Sequence, residues 1–149
     1  MNEISEEFVT KSIMKYLQEE KYEIISFDFP QSGTGHVLHP NSHDNKNYGA
    51  IIPDIIAKKS YICIIMENKD RYIASDFEKL TMLRDGNKYS QGLIKLKEKI
   101  KVKSYFFGAG IPFVKEEIAK ALNNCDKIDF LIAVGNDEKC SLLYGNIDI

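Results

Sequence analysis

No stretch of the 149-residue sequence approaches the ~20 consecutive apolar residues that a membrane-spanning helix needs. Cysteine is scarce: Cys63, Cys125 and Cys140 are widely spaced, odd in number and form no CxxC pair. That pattern speaks against a zinc ribbon or a thioredoxin-like site and fits reduced thiols, with Cys63 a small buried hydrophobe inside an apolar run. An excess of positive charge is missing too. The net charge is -2 and the pI about 5.9, whereas phosphate contacts draw on Lys and Arg. A role with nucleic acid would therefore rest on how charge is distributed, and a bound metal would add positive charge where acids cluster. The opening MNEISEEF is acidic and polar, unlike a signal peptide, so cytoplasmic residence is the expectation, with no membrane partner. Repeats, linkers and low-complexity segments are absent. Hydrophobic residues at 44% and charged residues at 28% are ordinary for a globular chain, and residues 1–149 read as a single domain.

What is present is concentrated between Ile51 and Arg71, IIPDIIAKKSYICIIMENKDR. Two apolar runs flank residues 58–60, Lys-Lys-Ser, which read as a tight turn, so the pair is a β-hairpin. Pro53-Asp54 opens the first run and Glu67-Asn68-Lys69 closes the second. Side chains alternate faces along a strand, so Glu67 and Lys69 point to one side, roughly 6.6 Å apart along the backbone, and Asn68 points to the other, away from any chemistry. Paired around the turn, the strands bring Asp54 near the level of Glu67. Two carboxylates and one ammonium then converge at the edge of an apolar sheet, a seat for a divalent metal and the water it activates. Ile55, Ile56, Ile64, Ile65 and Met66 keep the sheet beneath it rigid and dry. The competing reading is a surface ion pair of Glu67 with Lys69 or Arg71. It leaves unexplained why Pro-Asp and Glu-x-Lys coincide at the ends of adjacent strands.

Pro-Asp, about a dozen residues, then Glu-x-Lys after an apolar strand resembles the PD-(D/E)XK nuclease superfamily, which includes type II restriction endonucleases, archaeal Holliday-junction resolvases and several repair nucleases. Pro53, Asp54, Glu67 and Lys69 match its motif position by position. The resemblance implies an α/β fold with a mixed central sheet flanked by helices, a restriction endonuclease-like core. It implies DNA as the partner and phosphodiester hydrolysis as the reaction, with Mg²⁺ held by Asp54 and Glu67 and Mn²⁺ able to substitute. Lys69 would orient or deprotonate the water, or stabilise developing negative charge. A small restriction endonuclease acting as a homodimer on a palindromic site is the leading expectation. A junction resolvase, a core domain needing a separate recognition subunit, and a non-catalytic nucleic-acid-binding module are the alternatives. A protein-interaction domain with no nucleic-acid role is the reading from outside this class, and the acidic pI allows it.

The remaining chain fits around this hairpin. Residues 3–20 have helical period, with Val9, Ile13, Tyr16 and Leu17 as an apolar stripe and Asn2 or Ser5 as the cap. Glu6 falls among the apolar positions and Glu7 at the polar edge. A carboxylate on a packed face needs a partner. In many members of the superfamily the first helix lends the site an extra acid, which makes Glu6 the candidate ahead of Glu7. First-turn glutamates that simply favour the helix dipole are the other account. Residues 22–29 read as a strand ended by Pro30, and Gln31–Gly49 as a long polar loop. Its Ser32, Thr34, Asn45 and Lys46 are candidate phosphate contacts. His36, His39 and His43 lie in the same loop with no cysteine nearby and no helical spacing, so zinc is set aside in favour of solvent-facing or DNA-facing histidines.

Downstream, 75–84 reads as a helix capped by Ser75 or Asp76, and 89–100 as another. By the resemblance, Tyr89 and Gln91 start that second helix near the active site; the alternative is that either is simply a surface residue. The lysines at 95, 97, 99, 101 and 103 read as a solvated helix face or as a phosphate-contacting surface. Residues 103–108 form a strand, Gly108-Ala109-Gly110 a strand-to-helix turn, and 113–124 a helix with Pro112 in its first turn. Phe113 stands where a dinucleotide fingerprint wants a third glycine, so that site is rejected. Strands at 128–134 and 141–144 close an order α-β-β-β-α-α-β-α-β-β.

Overall fold

Val9, Ile13 and Leu17 form the buried stripe of α1, Glu6–Glu19. Ser5 caps it, its Oγ accepting the Phe8 N–H at 3.1 Å. The computed structural model describes residues 4–29, 35–41 and 49–149. After α1 come β1 (Glu23–Phe27), β2 (Ile55–Lys59), β3 (Ile62–Asn68), α2 (Ala74–Asp85), α3 (Ser90–Ile100), β4 (Ser104–Pro112), α4 (Lys115–Leu122), β5 (Phe130–Val134) and β6 (Cys140–Gly145). A single 3₁₀ turn, Cys125–Lys127, precedes β5. The order of helices and strands is the one expected from the sequence, and the fold is α/β. No helix among the described residues is long and apolar enough to cross a membrane.

The six strands form one mixed sheet in sequence order, β1 through β6. The pairs β1–β2, β2–β3 and β5–β6 are antiparallel, and β3–β4 and β4–β5 are parallel. The parallel steps require crossovers, which α2 with α3 and then α4 supply. On one face α1 packs against Ile55, Ile64, Met66 and Phe130. On the other, α2 and α3 bring Phe77, Leu80 and Leu96 against Ile56, Ile65 and Phe107. Both faces are covered, so β3 is buried along most of its length and reads as a continuous apolar run rather than an alternating one. Cys63 sits fully buried within it, and burial pushes its thiol up to about 12.

Two local expectations are corrected. The β2–β3 turn is tighter than residues 58–60, because Lys59 pairs with Ile62 and leaves only Ser60 and Tyr61 between the strands. Ser60 takes the left-handed conformation at φ 54°, while Lys58 stays in the strand and donates from Nζ to the Ile100 carbonyl at 2.7 Å. Gly108-Ala109-Gly110 is no turn, and Pro112 is the last residue of β4 rather than the first turn of a helix. Neither of those glycines has positive φ. They are there for space: a Cβ on Gly108 would lie 2.4 Å from the Phe130 ring, and one on Gly110 would lie 2.3 Å from Ile13 Cδ1 and 2.4 Å from Asn68 Oδ1. Local sequence reads glycine as a breaker; here it admits side chains from distant elements.

Candidate active site

Register decides the centre of the site. Ile55 pairs with Met66, and the Asp54 N–H donates to the Met66 carbonyl at 3.0 Å, which sets Asp54 opposite Glu67. Both side chains are buried, with 6% and 4% of the residue surface exposed; the surface ion-pair reading of Glu67 is therefore wrong. Asn68 directs its side chain away, with Nδ2 donating to Thr10 Oγ1 on α1 at 3.2 Å. Its backbone is nevertheless part of the site, because the Asn68 N–H donates to Asp54 Oδ2 at 2.7 Å and fixes that carboxylate.

Two buried carboxylates side by side disfavour full ionisation. Burial pushes Asp54 from its ordinary 3.8 up to about 6, partly offset by the Asn68 N–H, Glu67 and Lys69, with Glu6 adding to the rise. Glu67 is held well above the usual carboxylate range by burial first and then by the Asp54 charge. A raised folded-state pKa means that ionisation is less favourable in the folded chain than in the unfolded one. The metal-free protein therefore loses stability as pH rises from about 4 through about 6. Asp54→Asn keeps an oxygen for the Asn68 N–H and removes the repulsion. We expect it to stabilise the metal-free protein by roughly 1–3 kcal/mol near neutral pH and to flatten thermal melts across that range. Parallel wild-type and variant curves would show that Asp54 ionises without penalty.

Lys69 follows the end of β3, where its N–H continues the parallel ladder to the Gly110 carbonyl at 3.0 Å. Its Nζ lies 2.8 Å from Glu6 Oε1, with both side chains half-buried. Glu7 instead faces solvent and lies 3.6 Å from Lys11. Of the two glutamates, Glu6 is the one that reaches the motif. Burial works to lower the Lys69 pKa, but the Glu6 hydrogen bond and the charges of Asp76, Glu6 and Asp54 outweigh it and hold the pKa above its ordinary value. Lys69 is thus a cation at neutral pH.

Two members of the cluster were missed in the sequence. Asp76 does not cap α2: the N-cap position is Ile73, without a side-chain cap. Asp76 is 6% exposed, its Oδ2 has no hydrogen-bond partner, and burial raises its pKa against the pull of Lys69 and Lys79. Lys79 Nζ lies 3.4 Å from Glu67 Oε1 and 3.8 Å from Asp76 Oδ1. A signal existed. Asp76, Leu80 and Leu83 share the i, i+4, i+7 spacing of one helix face, the same argument that singled out Glu6. A narrow crevice lined by Glu67, Lys69, Arg71, Asp76, Phe77 and Gly110 opens at this cluster.

Other expectations fall elsewhere. Ser32, Thr34, Asn45, Lys46 and His43 lie outside the described residues. His36 and His39 border a separate groove with Gln91. Tyr89 is a core residue, 2% exposed, whose hydroxyl donates to the Gly49 carbonyl; neither Tyr89 nor Gln91 lines the crevice. No protein-family model matches this chain, and no curated protein matches it either.

Among the described residues no three His, Cys, Asp or Glu side chains converge to form a metal-holding group. A two-carboxylate seat remains, and it suits Mg²⁺, which keeps several waters and takes one or two protein carboxylates. Glu67 Oε1 supports the fit, being buried without a hydrogen bond; the Lys79 ammonium 3.4 Å away offsets part of its charge. A cation between Asp54 and Glu67 would relieve the repulsion that raises both pKa values.

Proposed function

We propose that this chain is a Mg²⁺-dependent endodeoxyribonuclease of the PD-(D/E)XK type. The observation that carries the reading is the buried Asp54–Glu67 pair at adjacent strand ends, with a cationic Lys69 two residues beyond Glu67. Two adjacent buried acids are costly to ionise even with Lys69 and Lys79 close by, because desolvation can exceed what a buried ion pair returns. Phosphodiester hydrolysis needs a stabilised nucleophile and charge against the phosphate. Mg²⁺ bound by Asp54 and Glu67 supplies both.

The chain's own residues do the positioning. The Asn68 N–H holds the Asp54 carboxylate in one orientation, and Glu6 holds the Lys69 ammonium over the sheet end at 2.8 Å. Because Lys69 is cationic, its role is to orient the attacking water through N–H donation and to stabilise charge on the phosphate oxygens. It does not remove the proton itself. Lys79 balances Glu67 and Asp76. Cutting both strands of a duplex calls for two such sites, hence a homodimer.

The test is purified protein with supercoiled plasmid and a synthetic four-way junction, in Mg²⁺, in Mn²⁺ and in EDTA, with Asp54→Ala alongside. Discrete plasmid fragments that vanish with EDTA and with the variant assign a restriction-type endonuclease. Cleavage of the junction alone assigns a resolvase. Activity that survives EDTA or Asp54→Ala overturns the site.

A further inference from the structure

On the α3 side of the sheet, residues 35–41 run as a strap across the N-terminal half of α3. Asn41 anchors it: Nδ2 donates to the Asn87 carbonyl at 2.9 Å and to Ser90 Oγ at 3.0 Å, and Oδ1 accepts the Gln91 N–H at 3.0 Å. Leu38 pairs with Ile51 as an isolated antiparallel bridge. Between strap and helix lies a groove of about 220 Å³.

The lining of this groove is unusual for an acidic protein. Four basic side chains, His36, His39, Lys95 and Lys99, face it together with the amides of Asn41 and Gln91, and no described carboxylate lines it. Lys95 and Lys99 stand one helical turn apart on an exposed face, and neither has a carboxylate within ion-pair distance among the described residues. Lack of an acid partner is not peculiar to them, since Lys15 and Lys139 also have none among the described residues; what sets the groove apart is that its lysines converge with two histidines on one cavity. Burial first, and then the charges of Lys99 and His39, hold His36 below its ordinary value. The N-terminal end of α3 adds its own partial positive charge.

We propose that this groove binds the phosphate backbone of duplex DNA, in register with the carboxylates of the active site. The identity of the anion rests on the nuclease reading above. Position supports it. Ile51, which pairs with the strap, precedes Asp54 by three residues, at most about 10 Å of chain. A duplex advancing about 3.4 Å per base pair can span groove and carboxylates together. Lys95 and Lys99 would each neutralise one phosphate, and the side-chain amide of Gln91 would donate to a phosphate oxygen, while Asn41, its donors already engaged, holds the strap in place.

The experiment measures binding rather than cleavage. A fluorescein-labelled 20-base-pair duplex is titrated with protein in EDTA across a salt series, using wild type, Lys95→Ala/Lys99→Ala and the control Lys15→Ala/Lys139→Ala. All four lysines are exposed, and Lys15 and Lys139 lie by α1, across the sheet from α3. The groove variant is expected to weaken binding at least tenfold and to reduce the slope of log K against log salt by roughly 1.8, at about 0.9 per phosphate contact; the control should change little. A second arm follows the His36 ring protons by NMR on adding inorganic phosphate or the duplex. A larger upward shift of its titration with duplex than with equimolar phosphate supports the backbone site. Equal loss from both double variants reduces the effect to net charge and overturns the proposal. So does an unchanged affinity, or a His36 response to free phosphate alone. Because no step requires cleavage, an inactive protein that still loses duplex affinity through Lys95 and Lys99 would sink the nuclease reading and leave the groove standing.

Discussion

If the chain is the Mg²⁺-dependent nuclease proposed above, Lys69→Met should lower its rate of DNA cleavage by about 10²–10³-fold, the range expected when a positioned electrostatic donor is removed. The fold should survive. Lys69 is half-buried and its bond to Glu6, at 2.8 Å, joins two partly solvated groups, so its loss should change stability by less than about 1 kcal/mol. Rate and stability thus separate. The same geometry predicts the shape of the pH profile. Lys69 acts as a cation, and Glu6, Asp76 and Asp54 hold its pKa above its ordinary value, so wild-type cleavage should show no rising limb due to this lysine and no fall from loss of its proton below about pH 10. Single-turnover cleavage of a plasmid across pH, with circular dichroism melts of both proteins, checks both statements. Near-wild-type cleavage by Lys69→Met would remove the lysine from the mechanism. A basic limb that disappears with Lys69→Met would show that it acts as a base.

The second large effect is on stability. Phe130 is fully buried, and its strand neighbours on the two sides are Gly108 of β4 and Gly145 of β6. Its ring occupies the space over Gly108, where an added Cβ would approach to 2.4 Å. With glycines beside it, little is available to collapse into the void when the ring is removed. Phe130→Ala should therefore lie in the upper part of the range for such truncations, about 3–5 kcal/mol. Gly108→Ala alone should also destabilise, by about 1–3 kcal/mol through overpacking. Combined, the two changes should be less harmful than their sum, because the alanine at 108 then meets no ring. Urea denaturation of the four proteins closes this cycle. Strict additivity would mean that ring and glycine do not share the space.

The sequence alone determined the order of helices and strands, the α/β class, and the strand ends that carry Asp54, Glu67 and Lys69. These features are local. Apolar runs, helical period and a tight turn between two strands act over a few neighbours, and two strands joined by a short turn have little freedom in register; only the turn's placement, at residues 60–61 rather than 58–60, came from the structure. Glu6 was legible for a similar reason, as a carboxylate on the apolar stripe of its helix. Only the tertiary structure decided what depends on residues far apart in the chain. Gly108 and Gly110 look like a turn until Phe130, Ile13 and Asn68 arrive to fill the space a side chain would take. Asp76 looks like a helix cap until α2 docks its first turn beside Glu67. Asn68 looks irrelevant because its side chain alternates away, yet its backbone N–H orients Asp54. The cationic groove exists only because residues 36–41 lie across α3, some fifty residues later in the chain. Local pattern fixes what each segment is; burial, charge pairing and space depend on which segments meet.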